Sequence, residues 1–204
     1  MIKQSIKKMI CVQFGISLLL LMLMTLVTGL LYPMCITVIA QALFSYQANG
    51  SLIELDNRNI GSECIGQLFS KPEYFQGRPS ATKPFPYNGI ASAGSNLGPS
   101  NISLQENIKS RIKYLQNQDP KNTLQIPIEL LTSSGSGLDP HLSPNAAYYQ
   151  ISRVAKARRL SEADVKILID HFTEPRQWFF LGEPRINVLK LNKALDALGQ
   201  NSNK

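Results

Sequence analysis

The chain has 204 residues, of which 44% are hydrophobic and 17% charged, and a formal net charge of +7. That length supports one domain with a real core beside an anchor, while three scattered cysteines do not make a disulfide framework. The densest basic stretch (Arg153, Lys156, Arg158, Arg159) has no interleaved aromatics, so nucleic-acid binding has little support and a solvated helix face is its ordinary reading.

Residues 1–9 form a basic N-terminus carrying Lys3, Lys7 and Lys8. From Phe14 to Leu31 the chain then runs for 18 residues without a charge, eight of them leucine. At about 1.5 Å rise per residue this run spans about 27 Å, close to the roughly 30 Å hydrocarbon core of a bilayer. Its leucines with Phe14, Ile16 and Val27 favour insertion by roughly 5 kcal/mol. Leucine around the whole circumference does not suit a soluble amphipathic helix. The expectation is one transmembrane helix over residues 10–33, closed by Tyr32-Pro33, with Met34 to Phe44 as an interfacial or pre-domain segment. A cleaved secretory signal ending at Ala40-Gln41-Ala42 is the rival reading. The run is too long for a signal core, and the triplet lies well beyond it. Gly15, Met22, Thr25 and Gly29 share one helical face, where small residues admit a neighbouring helix; Gly and Thr are also simply common in such helices.

Orientation follows from charge. Three lysines precede the span, and no charge follows it until Glu54. The positive-inside rule places the N-terminus in the cytoplasm and residues 34–204 outside, in the periplasm of a bacterium with an inner membrane.

Beyond the span, Gln47 to Ser51 reads as a turn, and residues 52–69 as short strands. Lys71 to Asn101 is rich in Pro, Gly, Ser and Asn yet carries Tyr74, Phe75, Phe85 and Tyr87, the mark of an ordered, packed loop. Leu104, Ile108, Ile112 and Leu115 repeat as one helix face behind Ser100 or Asn101 as cap. Ile126 to Leu131 reads as a strand. Ser143-Pro144 opens a helix, and Ser161-x-x-Asp164 opens another with Val165, Leu168, Ile169 and Phe172 inward. Trp178 to Leu181 reads as a strand. Asn187 caps a last helix burying Val188, Leu191, Leu195 and Leu198. The fold class is α+β: one N-terminal transmembrane helix and one mixed α/β extracytoplasmic domain.

Complete catalytic signatures are missing from the sequence. Gly94 and Gly98 lack the lysine of a phosphate loop, and Ser134 and Ser136 form no nucleophile elbow. Asp139 and His141 offer two metal ligands without an evident third, so no metal site is expected. An anchored external hydrolase built from Ser136, Asp139 and His141 is the alternative; a non-catalytic subunit is the preferred reading.

Several segments in order are family-like: Gly29-Leu-Leu-Tyr-Pro33, Gln47-Ala-Asn-Gly-Ser-Leu-Ile53, and Gly77-Arg-Pro-Ser-Ala-Thr82. Pro86-Tyr-Asn88, Ser134-Gly-Ser-Gly-Leu-Asp139, Gln150-Ile151 with Arg153-Val-Ala-Lys-Ala-Arg158, and Gly182 with Pro184 and Asn187-Val188 continue the series. From about residue 29 to 197 the chain resembles the C subunit of the bacterial Kdp potassium-transporting P-type ATPase. The resemblance implies an accessory subunit of an ATP-driven, high-affinity potassium uptake pump in the bacterial inner membrane. Its partners would be a channel-like potassium-translocating subunit, a P-type ATP-hydrolysing subunit and a small single-span subunit, besides the lipid bilayer. The resemblance also implies a catalytic chaperone that raises the hydrolysing subunit's affinity for ATP. No cofactor is expected on the chain alone; ATP would be shared, with Gln150 donating to the nucleotide and Arg153 and Lys156 neutralising phosphate. Charge places the domain away from cytoplasmic ATP, which favours a second role: capping the outer mouth of the potassium-translocating subunit. For that role Tyr74, Phe75, Arg78, Tyr87 and Asn88 are the expected partner contacts, because aromatic and Arg side chains dominate interfaces. Phe75 and Phe85 are equally well read as core.

Overall fold

The computed structural model describes residues 2–55 and 58–201. The chain divides into two compact units, Met1–Ser51 and Leu52–Lys204.

The first unit is helical. Helix α1 (Ile2–Leu26) passes through a π turn (Val27–Leu31) into α2 (Tyr32–Leu43), and a short α3 (Ser45–Ala48) follows. The helix does not end at Pro33, contrary to the sequence expectation. Proline lacks an N–H and crowds the carbonyl four residues back, here that of Gly29. The π turn widens the ladder just ahead of it, with the Tyr32 N–H donating to Val27 O, and the missing bond is absorbed without a break. Thr25, Thr28 and Thr37 donate their hydroxyls to Leu21 O, Met24 O and Pro33 O, one turn back, which satisfies these three donors within the helix. Met9–Leu43 is long and apolar enough to cross a membrane, and Phe14, Leu19 and Leu21 are each more than 60% exposed.

The second unit is α+β, as expected. Strands β1 (Leu52–Leu55) and β2 (Arg58–Ser62) form an antiparallel hairpin with a bulge between Ile53 and Glu54. A long coil leads to α4 (Ile102–Gln118), whose N-cap Asn101 accepts from the Ser103 N–H. The expected strand at 126–131 is instead a 3-10 turn, Ile128–Leu130. Pro127 cannot donate to a ladder, and among the described residues no neighbouring strand offers one there. Then come β3 (His141–Leu142), α5 (Pro144–Tyr149), α6 (Ile151–Arg158), α7 (Glu162–Phe172), β4 (Thr173–Glu174), β5 (Arg185–Asn187) and α8 (Val188–Asn201). Ser143, Ser161 and Asn187 cap their helices by accepting from Ala146, Asp164 and Lys190 N–H groups.

Strand β5 is the centre of an antiparallel sheet ordered β3-β5-β4. Against it α5 to α8 bury Leu142, Val154, Val165, Ile169, Ile186, Leu191 and Leu195. Each of these is at most 1% exposed. At about 1.5–3 kcal/mol for each fully buried aliphatic side chain, this cluster is the principal stabiliser of the domain.

Candidate docking site

The coil after β2 carries every residue expected to touch a partner, so what holds it matters. Residues Pro72 to Gln76 run without a neighbouring strand. Their five carbonyls are satisfied by side chains instead. Arg153 donates to Pro72 O and to Tyr74 O, and Arg158 Nε to Glu73 O. Asn192 Nδ2 donates to Phe75 O and Gln150 Nε2 to Gln76 O. The same two amides accept in return: Phe75 N–H donates to Asn192 Oδ1 and Gln76 N–H to Gln150 Oε1, both at 2.9 Å. Gln150 and Asn192 thus act as detached peptide units, making a ladder from the α5–α6 junction and helix α8 where a strand would normally stand.

Arg153 is buried, and Gln150 Oε1 accepts from it at 2.6 Å. Burial lowers its guanidinium toward about 10, still charged at neutral pH; Tyr114 and Asp119 nearby favour the charge. Arg158 closes the set, pairing with Asp196 at 2.6 Å and stacking over the Tyr74 ring at 4.8 Å.

Downstream, the coil is zipped to residues 132–139. Ser80 Oγ donates to Gly137 O, and the Ala93 N–H to Ser136 O. Arg78 pairs with Asp139 at 3.4 Å and reaches Ser133 O. Burial opposes the Asp139 charge, but hydrogen bonds from the His141 side chain and backbone, then Arg78, outweigh it and hold the carboxyl below its usual range. The Tyr87 hydroxyl donates to Arg78 O at 2.5 Å. Burial, reinforced by Asp139, pushes that hydroxyl up to about 12. The Tyr87 ring lies on bare backbone: a Cβ added at Gly66 would meet it at 2.4 Å and Asp139 O at 2.7 Å.

The expected site residues therefore separate. Tyr74, Arg78 and Tyr87 are half-buried; the two hydroxyls and the Arg78 terminal nitrogens are engaged while Arg78 Nε is left unpaired, and Asn88 is buried with its amide donating to Lys83 O. Phe75 is fully buried, so it is core and presents nothing to a partner. Phe85, the other candidate for core, is 55% exposed. Gln150 is 2% exposed, and Lys156 lies on the surface. The expected solvated face fails at Arg153 and Arg158, whose guanidiniums point into the coil. On α1 the positions above Gly15 are open, and only Thr25 Cγ2 approaches Gly29, at 3.9 Å. Gly15, Met22 and Thr25 are all exposed.

Sequence reasoning missed two exposed apolar features. Ile90 is 97% exposed at the coil's outer edge. The Trp178–Leu181 run is not a strand. It is a tight turn closed by reciprocal hydrogen bonds between Gln177 and Leu181, both 2.9 Å, at the tip of the β4–β5 connection. Trp178 and Phe179 take left-handed φ of 49° and 69°, which turns their side chains away from any ladder. The sequence signal was the Gly182 that follows, with glutamates and arginines placed symmetrically around the run.

The hydrolase alternative finds no support. Ser136 Oγ accepts from the Leu138 N–H, and Asp139 is held by Arg78 as well as by His141. The chain joins one helix long and apolar enough to cross a membrane to an α+β domain whose buried polar groups brace an irregular coil. Comparison with known proteins places it more closely. Residues 14–197 match the family model described as K+-transporting ATPase, c chain. The chain is 58% identical over 185 residues to a potassium-transporting ATPase KdpC subunit of Methylococcus capsulatus, covering 91% of this chain and 97% of that protein. It is 54% identical to that of Dechloromonas aromatica, covering 89% and 95%, and 55% identical to that of Paraburkholderia phytofirmans, covering 86% and 91%. The chain belongs to the KdpC family and is an accessory component of the potassium uptake pump.

Proposed function

We propose that this subunit is non-catalytic and works from outside the cell. Its N-terminal helix sits in the bacterial inner membrane with Lys3, Lys7 and Lys8 on the cytoplasmic side. Its α+β domain caps the outer mouth of the channel-like potassium-translocating subunit, beside the P-type ATP-hydrolysing and small single-span subunits. The observation that carries this reading is the engagement of Gln150 and Arg153. Gln150 Nε2 donates to Gln76 O and Ala146 O, and Arg153 to three carbonyl oxygens. Contact with ATP would require both to abandon buried bonds, each worth about 0.5–1.5 kcal/mol net, or about 1.5–3 for the charged group. Those side chains serve a rigid outer surface, which suits docking.

Topology tests the reading directly. Cys64 is exposed in the domain. With Cys11→Ala and Cys35→Ala in place, a membrane-impermeant maleimide added to intact spheroplasts labels Cys64 if the domain is outside. Labelling only after the membrane is opened refutes the proposal.

A further inference from the structure

Among the described residues of the domain, the turn at residues 178–180 carries three consecutive exposed aromatic side chains. Trp178 is 77%, Phe179 98% and Phe180 69% exposed, and Leu181 at its base is 44% exposed. Three aromatic side chains of about 150–250 Å² each offer on the order of 500 Å². A standard interface buries about 800 Å² per partner, so this turn alone would supply more than half of one side. Monomers rarely leave so large an apolar patch bare without a use for it.

The turn is built to hold its shape. Its stem is the β4–β5 pair, with Glu174 opposite Arg185 and Thr173 opposite the fully buried Ile186. Two ion pairs flank it, Arg185 with Glu174 at 3.0 Å and Arg176 with Glu183 at 2.6 Å. Non-glycine residues in the left-handed region are strained, and here the strain points the aromatic rings outward. A preformed aromatic tip loses little freedom on binding.

We infer that the Trp178–Phe180 turn is a docking plug that inserts into an apolar pocket on the outer face of the potassium-translocating subunit. The inference rests on the proposed outer-side assembly and names the part of this chain that makes it. The charge around the tip selects a protein over lipid. Surfaces that bind anionic bilayers carry an excess of Lys and Arg, whereas here each arginine is matched by a glutamate. The rim is therefore neutral, as befits an apolar plug with a polar collar.

The test uses the assembled pump. A photoreactive p-benzoylphenylalanine placed at position 179 should cross-link to the potassium-translocating subunit; a cross-link to a different subunit instead overturns the inference. Cross-links only to lipid, only to a second copy of this chain, or to nothing overturn the inference. The combined Trp178→Ser, Phe179→Ser, Phe180→Ser variant should fold as wild type, since these side chains are exposed, and recover at least about tenfold less partner on co-purification, the factor that each 1.4 kcal/mol of lost binding gives. Unchanged recovery also overturns it. Trp178 is the one tryptophan of the chain, so the purified full-length subunit in nanodiscs gives an independent reading. Emission typical of water is expected, and quenching by brominated lipid would assign the turn to the bilayer instead. If Cys64 is labelled from outside and the wild-type pump co-purifies while the cross-link fails, the plug is wrong and the outer-side assembly stands.

Discussion

Replacing Gln150 by Leu separates a structural from a nucleotide-binding role for this residue. Leucine has similar volume but neither donor nor acceptor. The change strands the Gln76 N–H and Gln76 O, both in a residue only 3% exposed, and removes the acceptor of an Arg153 N–H. Each buried group left unsatisfied costs about 1–3 kcal/mol, so the two neutral groups together cost about 4 kcal/mol. Part of that is offset by burying a wholly apolar side chain, leaving a net loss of about 3 kcal/mol. For a domain of this size about 2–4 °C of melting temperature is lost per kcal/mol, so a drop of roughly 6–12 °C is expected. Thermal unfolding of the full-length chain in detergent reads this, alongside the ATP dependence of hydrolysis by the assembled pump. The expected result is a large fall in Tm, with KM for ATP unchanged in whatever complex still assembles. An unmoved Tm with a raised KM would refute the side-chain ladder and return Gln150 to the nucleotide.

Two further substitutions test the coil. Tyr87→Phe removes the bond to Arg78 O and costs about 1 kcal/mol at pH 8. The Tyr87 hydroxyl is held at about 12 in the folded chain against 10.0 ordinarily, so its stabilising share is complete below pH 10 and is lost as pH rises through about 12. Wild type should therefore lose about 2–3 kcal/mol over that interval that the variant does not. Denaturant titrations at pH 8 and 11 measure the convergence; parallel curves refute it. Gly66→Ala places a methyl 2.4 Å from a pinned aromatic ring and 2.7 Å from a backbone oxygen. The ring cannot yield without breaking the Tyr87 bond, and the oxygen belongs to the backbone, so a loss of about 3 kcal/mol is expected by chemical unfolding, at the upper end for overpacking.

Much of the fold was legible because its signals are local. Capping residues and apolar spacing placed α4, α5, α7 and α8, and the leucine run located the membrane helix. What failed depended on context. Pro33 reads as a stop, but a π turn ahead of it lets the helix continue. Ile126 to Leu131 and Trp178 to Leu181 have strand composition, yet Pro127 removes a donor and the left-handed Trp178 and Phe179 fold the second run back on itself. The site was the least legible. A buried arginine held by carbonyls and an exposed one look alike in sequence, so Arg153 and Lys156 read as equivalent. Phe75 and Phe85 also read alike, and only tertiary packing sends one inward and the other out.

The membrane helix is longer than a membrane needs. Its 35 apolar-rich residues from Met9 to Leu43 extend about 52 Å, against roughly 30 Å of hydrocarbon. Even a tilt of about 40°, the upper end of what is observed, leaves about 10 Å unaccommodated. The lysines before Met9 favour a headgroup position at that end, so the excess falls on α2, where Met34, Val38 and Leu43 are each 59–70% exposed in the isolated chain. On the proposed outer-side assembly such a surface, once outside hydrocarbon, is covered by another protein rather than by the headgroup layer. Aspartate substitutions at two depths distinguish embedded from protein-covered length. Leu21→Asp lies mid-span and should cost about 2.5–3.5 kcal/mol of insertion, read as loss of the chain from alkali-washed membranes. Val38→Asp should leave insertion intact and instead weaken recovery of the partner subunits, because it places a charge in their contact rather than in lipid. Equal loss of insertion from both variants would mean that α2 is embedded too, and that the bilayer rather than a partner covers it.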